Sequence, residues 1–126
     1  MKTIKTFTEI VALILLTSVS LMAVQPVVTN VRASQRPGTK LVDIYYDLTY
    51  TGTEYLQSSV LVSTNGGASY SLPATSISGT GHGYSITTGT GKHIIWDAGA
   101  DWNGNFSTTV RFRITVSEVS SSSFPF

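Results

Sequence analysis

Thr108-Thr109-Val110-Arg111-Phe112-Arg113-Ile114-Thr115-Val116 decides the fold class of this chain. Val110, Phe112, Ile114 and Val116 fall at every second position, and Thr109, Arg111, Arg113 and Thr115 fill the gaps. A period of two buries one set and leaves the other in water, which is the geometry of a strand covered on one face. The apolar spacing of three and four that an amphipathic helix needs is missing. The same alternation returns over residues 40–50, where Val42, Ile44, Tyr46 and Leu48 share one face, and Asp43 and Asp47 the other.

Between and before these two stretches, strands and turns follow one another. Residues 27–33 read as a first strand, closed by Arg36-Pro37-Gly38, where Pro presets φ and Gly allows the reversal. Thr51-Gly52-Thr53 is a turn, and residues 55–63 a third strand with Val60 and Val62 on one side. Asn65-Gly66-Gly67 marks a tight hairpin. Residues 69–72 return from it, and Pro73 ends that strand or marks a sheet edge. Residues 76–91 are rich in Gly, Ser and Thr, which predicts a long flexible loop with one short strand at 84–87. Residues 92–96 form a further strand. About seven short strands with regular turn signals describe an all-β fold, an antiparallel β-sandwich of immunoglobulin or fibronectin type III character. With no cysteine pair, the fibronectin-like form fits better. Trp96, Tyr46 and Phe112 are the candidates for the aromatic centre of the core. A closed barrel fits less well, because the Gly-rich middle leaves little continuous strand to close a ring.

The amino terminus carries an export signal. Lys2 and Lys5 precede the apolar run Ile10-Val11-Ala12-Leu13-Ile14-Leu15-Leu16, and Ser20-Leu21-Met22-Ala23 leads into polar sequence. Such a run is far short of the roughly 20 residues that span a bilayer, but suits a cleaved signal peptide. The organisation expected is a signal peptide at 1–23, one sandwich domain at 24–117 and a disordered Ser-rich tail at 118–126. The protein is then secreted or periplasmic, without a membrane span after cleavage. The whole chain has 126 residues and a net charge of +1, with 12% charged residues. Losing Lys2, Lys5 and Glu9 with the signal leaves a neutral domain, which argues against a nucleic-acid partner. The absence of cysteine excludes a disulfide framework and a thiol nucleophile.

Few residues carry chemistry. Gly79-Thr80-Gly81-His82-Gly83 and Gly89-Thr90-Gly91-Lys92 suggest a phosphate loop, but Ile86 stands where its first Gly belongs and His93 where Ser or Thr belongs. Asp97, Asp101, Asn103 and Asn105 place oxygen ligands near one another and are calcium candidates. Asx-rich turns that cap their own backbone give the same composition. His82 and His93 lack ligand spacing, and no Gly-x-Ser-x-Gly elbow occurs. Asn105-Phe106-Ser107 fits a glycosylation acceptor, relevant only in a eukaryotic secretory pathway. Tyr45, Tyr50, Tyr55, Tyr70 and Trp102 fall off the core phase. Tyr45, Tyr50, Tyr55 and Trp102 are thus candidates for stacking on a ligand, against rim packing across strands. No catalytic residue and no cofactor is expected.

The run Val27-Val28-Thr29-Asn30-Val31-Arg32-Ala33-Ser34-Gln35-Arg36-Pro37-Gly38-Thr39-Lys40-Leu41-Val42-Asp43-Ile44-Tyr45-Tyr46-Asp47-Leu48 resembles a secreted bacterial domain. Gly89-Thr90-Gly91-Lys92-His93-Ile94-Ile95-Trp96-Asp97-Ala98-Gly99-Ala100-Asp101-Trp102 is similar to its second signature. The family is the fibronectin type III-like module that precedes the catalytic domain in exported proteins of the formylglycine-generating enzyme (sulfatase-modifying factor) family. Between the signatures, Val62-Ser63-Thr64-Asn65-Gly66-Gly67-Ala68-Ser69-Tyr70 resembles a degenerate Asp-box hairpin, with Asn65 for Asp and Tyr70 for Trp. The resemblance implies a non-catalytic module that spaces or presents a partner domain. The family's catalytic domain would follow the last strand, and its active-site cysteine has no counterpart here. A second function class is a module binding a glycan or a protein partner at the cell envelope through exposed Tyr and Trp side chains.

Overall fold

A computed structural model describes residues 24–120. The signal segment expected at 1–23 and tail residues 121–126 lie outside them. The described elements are β1 (Val27–Gln35), β2 (Leu41–Thr49), β3 (Tyr55–Ser63), β4 (Leu72–Pro73), β5 (Ile77–Ser78), β6 (Gly83–Tyr84), β7 (Gly89–Asp97), the single turn α1 (Ala98–Asp101) and β8 (Arg111–Val119). They build an all-β fold of two antiparallel sheets. One runs β1-β2-β7-β5; in the other β3 pairs with β8 along its whole length and with the short β4 and β6.

The alternation read from the sequence sets which side of each strand faces the core. Ile44, Tyr46 and Leu48 of β2, Ile94 and Trp96 of β7, Leu56, Val60 and Val62 of β3, and Ile114 and Val116 of β8 are buried together. Both sheets therefore share one apolar core, and each large side chain in it contributes about 2–3 kcal/mol. Trp96 and Tyr46 sit at its centre as expected, whereas Phe112 is only half-buried, its ring edge-on to Trp96 at 5.7 Å.

Several expectations are corrected. Residues 118 and 119, expected to open the tail, belong to a strand: β8 continues to Val119, because its ladder with β3 extends to the Tyr55↔Val119 pair. The tight hairpin at Asn65 is a wider loop. Asn65 Oδ1 accepts from the Ser69 N–H at 3.0 Å and the Ser63 hydroxyl at 2.7 Å, so the return strand shrinks to Leu72–Pro73. The Gly-rich stretch is clamped rather than flexible. Its carbonyl at Gly81 accepts from the Tyr46 phenol at 2.6 Å and from the Ser58 hydroxyl at 2.9 Å, both buried groups, while its N–H donates to His93 O at 2.8 Å. Ile86 is buried too, and β7 begins at Gly89, earlier than residue 92. Glycine is required where the stretch crosses β7. A Cβ on Gly79 (φ +107) would lie 2.5 Å from His93 O.

Candidate functional site

The site begins with two strands that have a neighbour on one side only. Among the described residues β1 pairs with β2 alone and β8 with β3 alone. The two come within 8 Å of each other over part of their length. Where Val31–Gln35 of β1 face Val110, Arg111 and Phe112, they leave a groove of about 630 Å³. Its apolar lining comes from Val42, Trp96, Ala98, Trp102, Phe106 and Phe112, a volume and character typical of ligand sites. Phe106 is 86% exposed, a large cost in water for an aromatic ring with no cover.

Local hydrogen bonds hold one wall in place. Asp97 Oδ1 accepts from the Ala100 N–H at 3.1 Å and caps α1, and the Trp102 N–H closes the turn on Ala98 O at 2.8 Å. The Asp101 carboxylate then joins three segments. Its Oδ2 accepts from the Trp96 indole at 2.8 Å and from the Thr75 and Ser76 N–H groups at 2.8 and 3.0 Å. Its Oδ1 accepts from the Thr75 and Ser76 hydroxyls at 2.7 and 2.9 Å. Burial pushes the Asp101 pKa up, but these donors outweigh it and hold the carboxyl far below its usual range. Lys40 Nζ donates to Asn103 Oδ1, and the Ala98 N–H donates to Lys40 O at 3.0 Å, so the start of β2 fixes the loop after α1.

The charge in the groove has one sign. Lys40 and Arg111 are among its lining residues, and no described Asp or Glu is; Arg32 borders it too, but its guanidinium lies on the outer face, over the Tyr45 ring. Arg32 is 3.7 Å from Asp47, outside the groove, whereas Lys40 and Arg111 form no ion pair among the described residues. The outer face of the same sheet is different. Arg36 grips Asp43 through two bonds of 3.1 and 2.7 Å, and His93 Nε2 lies 2.8 Å from the same carboxylate. The Arg36 bonds, then His93, bring the Asp43 pKa down to about 2.

Of the candidate residues, Trp102 lines the groove and the others do not join it. Tyr45 has His93 stacked on it at 4.5 Å and the Arg32 guanidinium 5.5 Å from its ring centroid, so its neighbours across both strands crowd the ring. Tyr50 and Tyr55 border a separate depression of about 380 Å³, and the Tyr50 phenol donates to Glu118 at 2.7 Å. The four residues weighed for calcium are engaged elsewhere: Asp97 in its cap, Asp101 in its five bonds, Asn103 with Lys40, and Asn105 Nδ2 with Trp102 O and Asn103 O. Sequence reasoning missed Phe106, Lys40 and Arg111. A signal existed for Phe106, an aromatic ring inside the polar run Asn103-Gly104-Asn105-Phe106-Ser107 where no strand period demands one.

Fold and site together define an all-β, two-sheet chain with an apolar, cation-rimmed groove along one edge. No family model, curated protein or solved structure matches it.

Proposed function

We propose that this chain is a non-catalytic interaction module, exported to the cell envelope, that holds or presents a partner through the groove between β1 and β8. The observation that carries the reading is the groove itself: Trp102 and the highly exposed Phe106 at an apolar cleft of ligand size. In this reading the two sheets are a fibronectin type III-like sandwich behind a cleaved signal peptide. The chain then corresponds to the N-terminal module of a protein of the formylglycine-generating enzyme family. Support for that comes from the two sequence signatures, which supply β1, β2, β7 and α1, adjacent elements that also form one wall of the groove.

Exposed aromatics at a cleft also suit a glycan, and one titration separates the outcomes. Intrinsic tryptophan emission is followed while polysaccharides and extended peptides are added to the purified protein. A saturable change that Trp102→Ala abolishes is expected, with no turnover of ester, glycoside or peptide substrates. Binding that Trp102→Ala leaves intact removes the groove from the reading.

A further inference from the structure

The groove invites a particular kind of occupant, and this step rests on the interaction reading above. In an antiparallel ladder, alternate residues point their N–H and C=O groups toward one neighbour and then the other. The Arg36 N–H donates to Leu41 O at 2.8 Å, across the turn that joins β1 to β2. Counting back by twos, Ser34 and Arg32 also bond to β2, opposite Asp43 and Tyr45. Ala33 and Gln35 therefore direct their backbone groups to the open side, along the rim of the groove. On the opposite rim, the Ile86 N–H donates to Leu56 O at 3.1 Å, so Leu56 faces away from β8. By the same alternation Val62 faces away as well, and its register partner Phe112 turns its own backbone outward from β8.

We propose that an extended acidic segment of another protein adds to the free edge of β1 as a strand. Its backbone bonds to Ala33 and Gln35, alternate apolar side chains enter the groove, and Asp or Glu residues meet Lys40 and Arg111. Backbone pairing gives such additions their affinity, and pockets for alternate side chains give specificity. The sign of the charge selects the occupant. Among the described residues Lys40 and Arg111 have no ionic partner and the groove lining contains no carboxylate. A second copy of this chain is the wrong occupant, because its own open edges bring Arg32, Arg111 and Arg113 to a groove that is already cationic.

The test uses a labelled ten-residue peptide that alternates valine with glutamate, its valine–lysine counterpart, and the glutamate peptide N-methylated at alternate residues. Fluorescence anisotropy is expected to show the glutamate peptide binding at least tenfold tighter than either control. Arg111→Glu, an exposed change that keeps the fold, reverses the preference between glutamate and lysine. Ala33→Pro, which deletes one outward N–H, weakens binding tenfold or more. Amide exchange at Ala33 and Gln35 slows on binding. Equal affinity for the two charges, or unchanged exchange at Ala33 and Gln35, overturns the proposal, as does concentration-dependent dimerisation without peptide that protects the Ala33 and Gln35 amides, which an exchange of β1 onto another copy's β2 leaves open. Trp102 emission that responds to polysaccharide and not to peptide overturns strand addition and leaves the groove reading standing. Emission that responds to neither overturns both.

Discussion

Asp101 does more for this molecule than its position in an Asx-rich loop suggests. A carboxylate can accept several hydrogen bonds, and this one accepts five from Thr75, Ser76 and the Trp96 indole. Removing it leaves two backbone N–H groups and the indole N–H without their acceptor, each costing about 1–3 kcal/mol where water cannot replace it. Asp101→Ala is therefore expected to lower the unfolding free energy in urea by about 3 kcal/mol or more. Asp101→Asn costs less, because one amide oxygen replaces Oδ2 and the two hydroxyls can turn to accept from the amide. The pH dependence has a definite sign. Asp101 and Asp43 both have folded pKa values below the unfolded carboxylate range near 4, so their stabilisation is complete above that range. It disappears as pH falls from about 4 through the folded values. Thermal melts are expected to be level down to about pH 5 and to drop steeply below pH 4, with a shallower drop in Asp101→Asn. A melting temperature independent of pH between 5 and 2 contradicts this account.

At the scale of elements, the long strands were legible and the Gly-rich middle was not. Residues 40–50 and 108–116 announce their faces because an apolar side chain recurs at every second position, and of that set β2 and β8 bury Ile44, Tyr46, Leu48, Ile114 and Val116. Residues 76–91 carry no such alternation, since their order comes from distant groups: the Tyr46 phenol, the Ser58 hydroxyl and the backbone of His93. Their composition is what close approach of two backbones demands, and composition alone reads the same as flexibility. The groove was hidden for a related reason. It is made where two strand edges face each other, and a sequence shows faces far more clearly than edges. Trp102 was found because an indole stands out in a polar loop, whereas Lys40 and Arg111 look like any solvated cation. Gly79→Ala tests the clamp. Its φ of +107 and the 2.5 Å approach to His93 O together force the stretch away from β7. The buried Tyr46 and Ser58 hydroxyls then lose their acceptor, for an expected cost of about 2–4 kcal/mol in urea unfolding. A loss below about 0.5 kcal/mol means the stretch is not held.

For the whole molecule, the core is unequally shared. Trp96, Tyr46, Ile44 and Ile94 are fully enclosed at its centre, while Phe112 lies where the core opens into the groove. Phe112→Ala is accordingly expected to cost about 2 kcal/mol in urea unfolding, below the roughly 3–5 kcal/mol of an enclosed Phe. A cost above about 4 kcal/mol means the groove is closed in solution.

The one-sided attachment of β1 has a consequence for exchange between molecules. Its side chains are exposed on both faces except for the half-buried Val28, so little besides the ladder to β2 keeps it in place. Elements held in this way open first and most often. When β1 lifts away, β2 presents a row of unpaired groups whose register, including the irregularity between Thr29 and Arg32, is matched by β1 itself. A neighbouring molecule's β1 fits that row as well as the original does. The strand is a tradeable part, and the expected outcome in concentrated solution is a domain-swapped dimer that needs no contact absent from the single molecule.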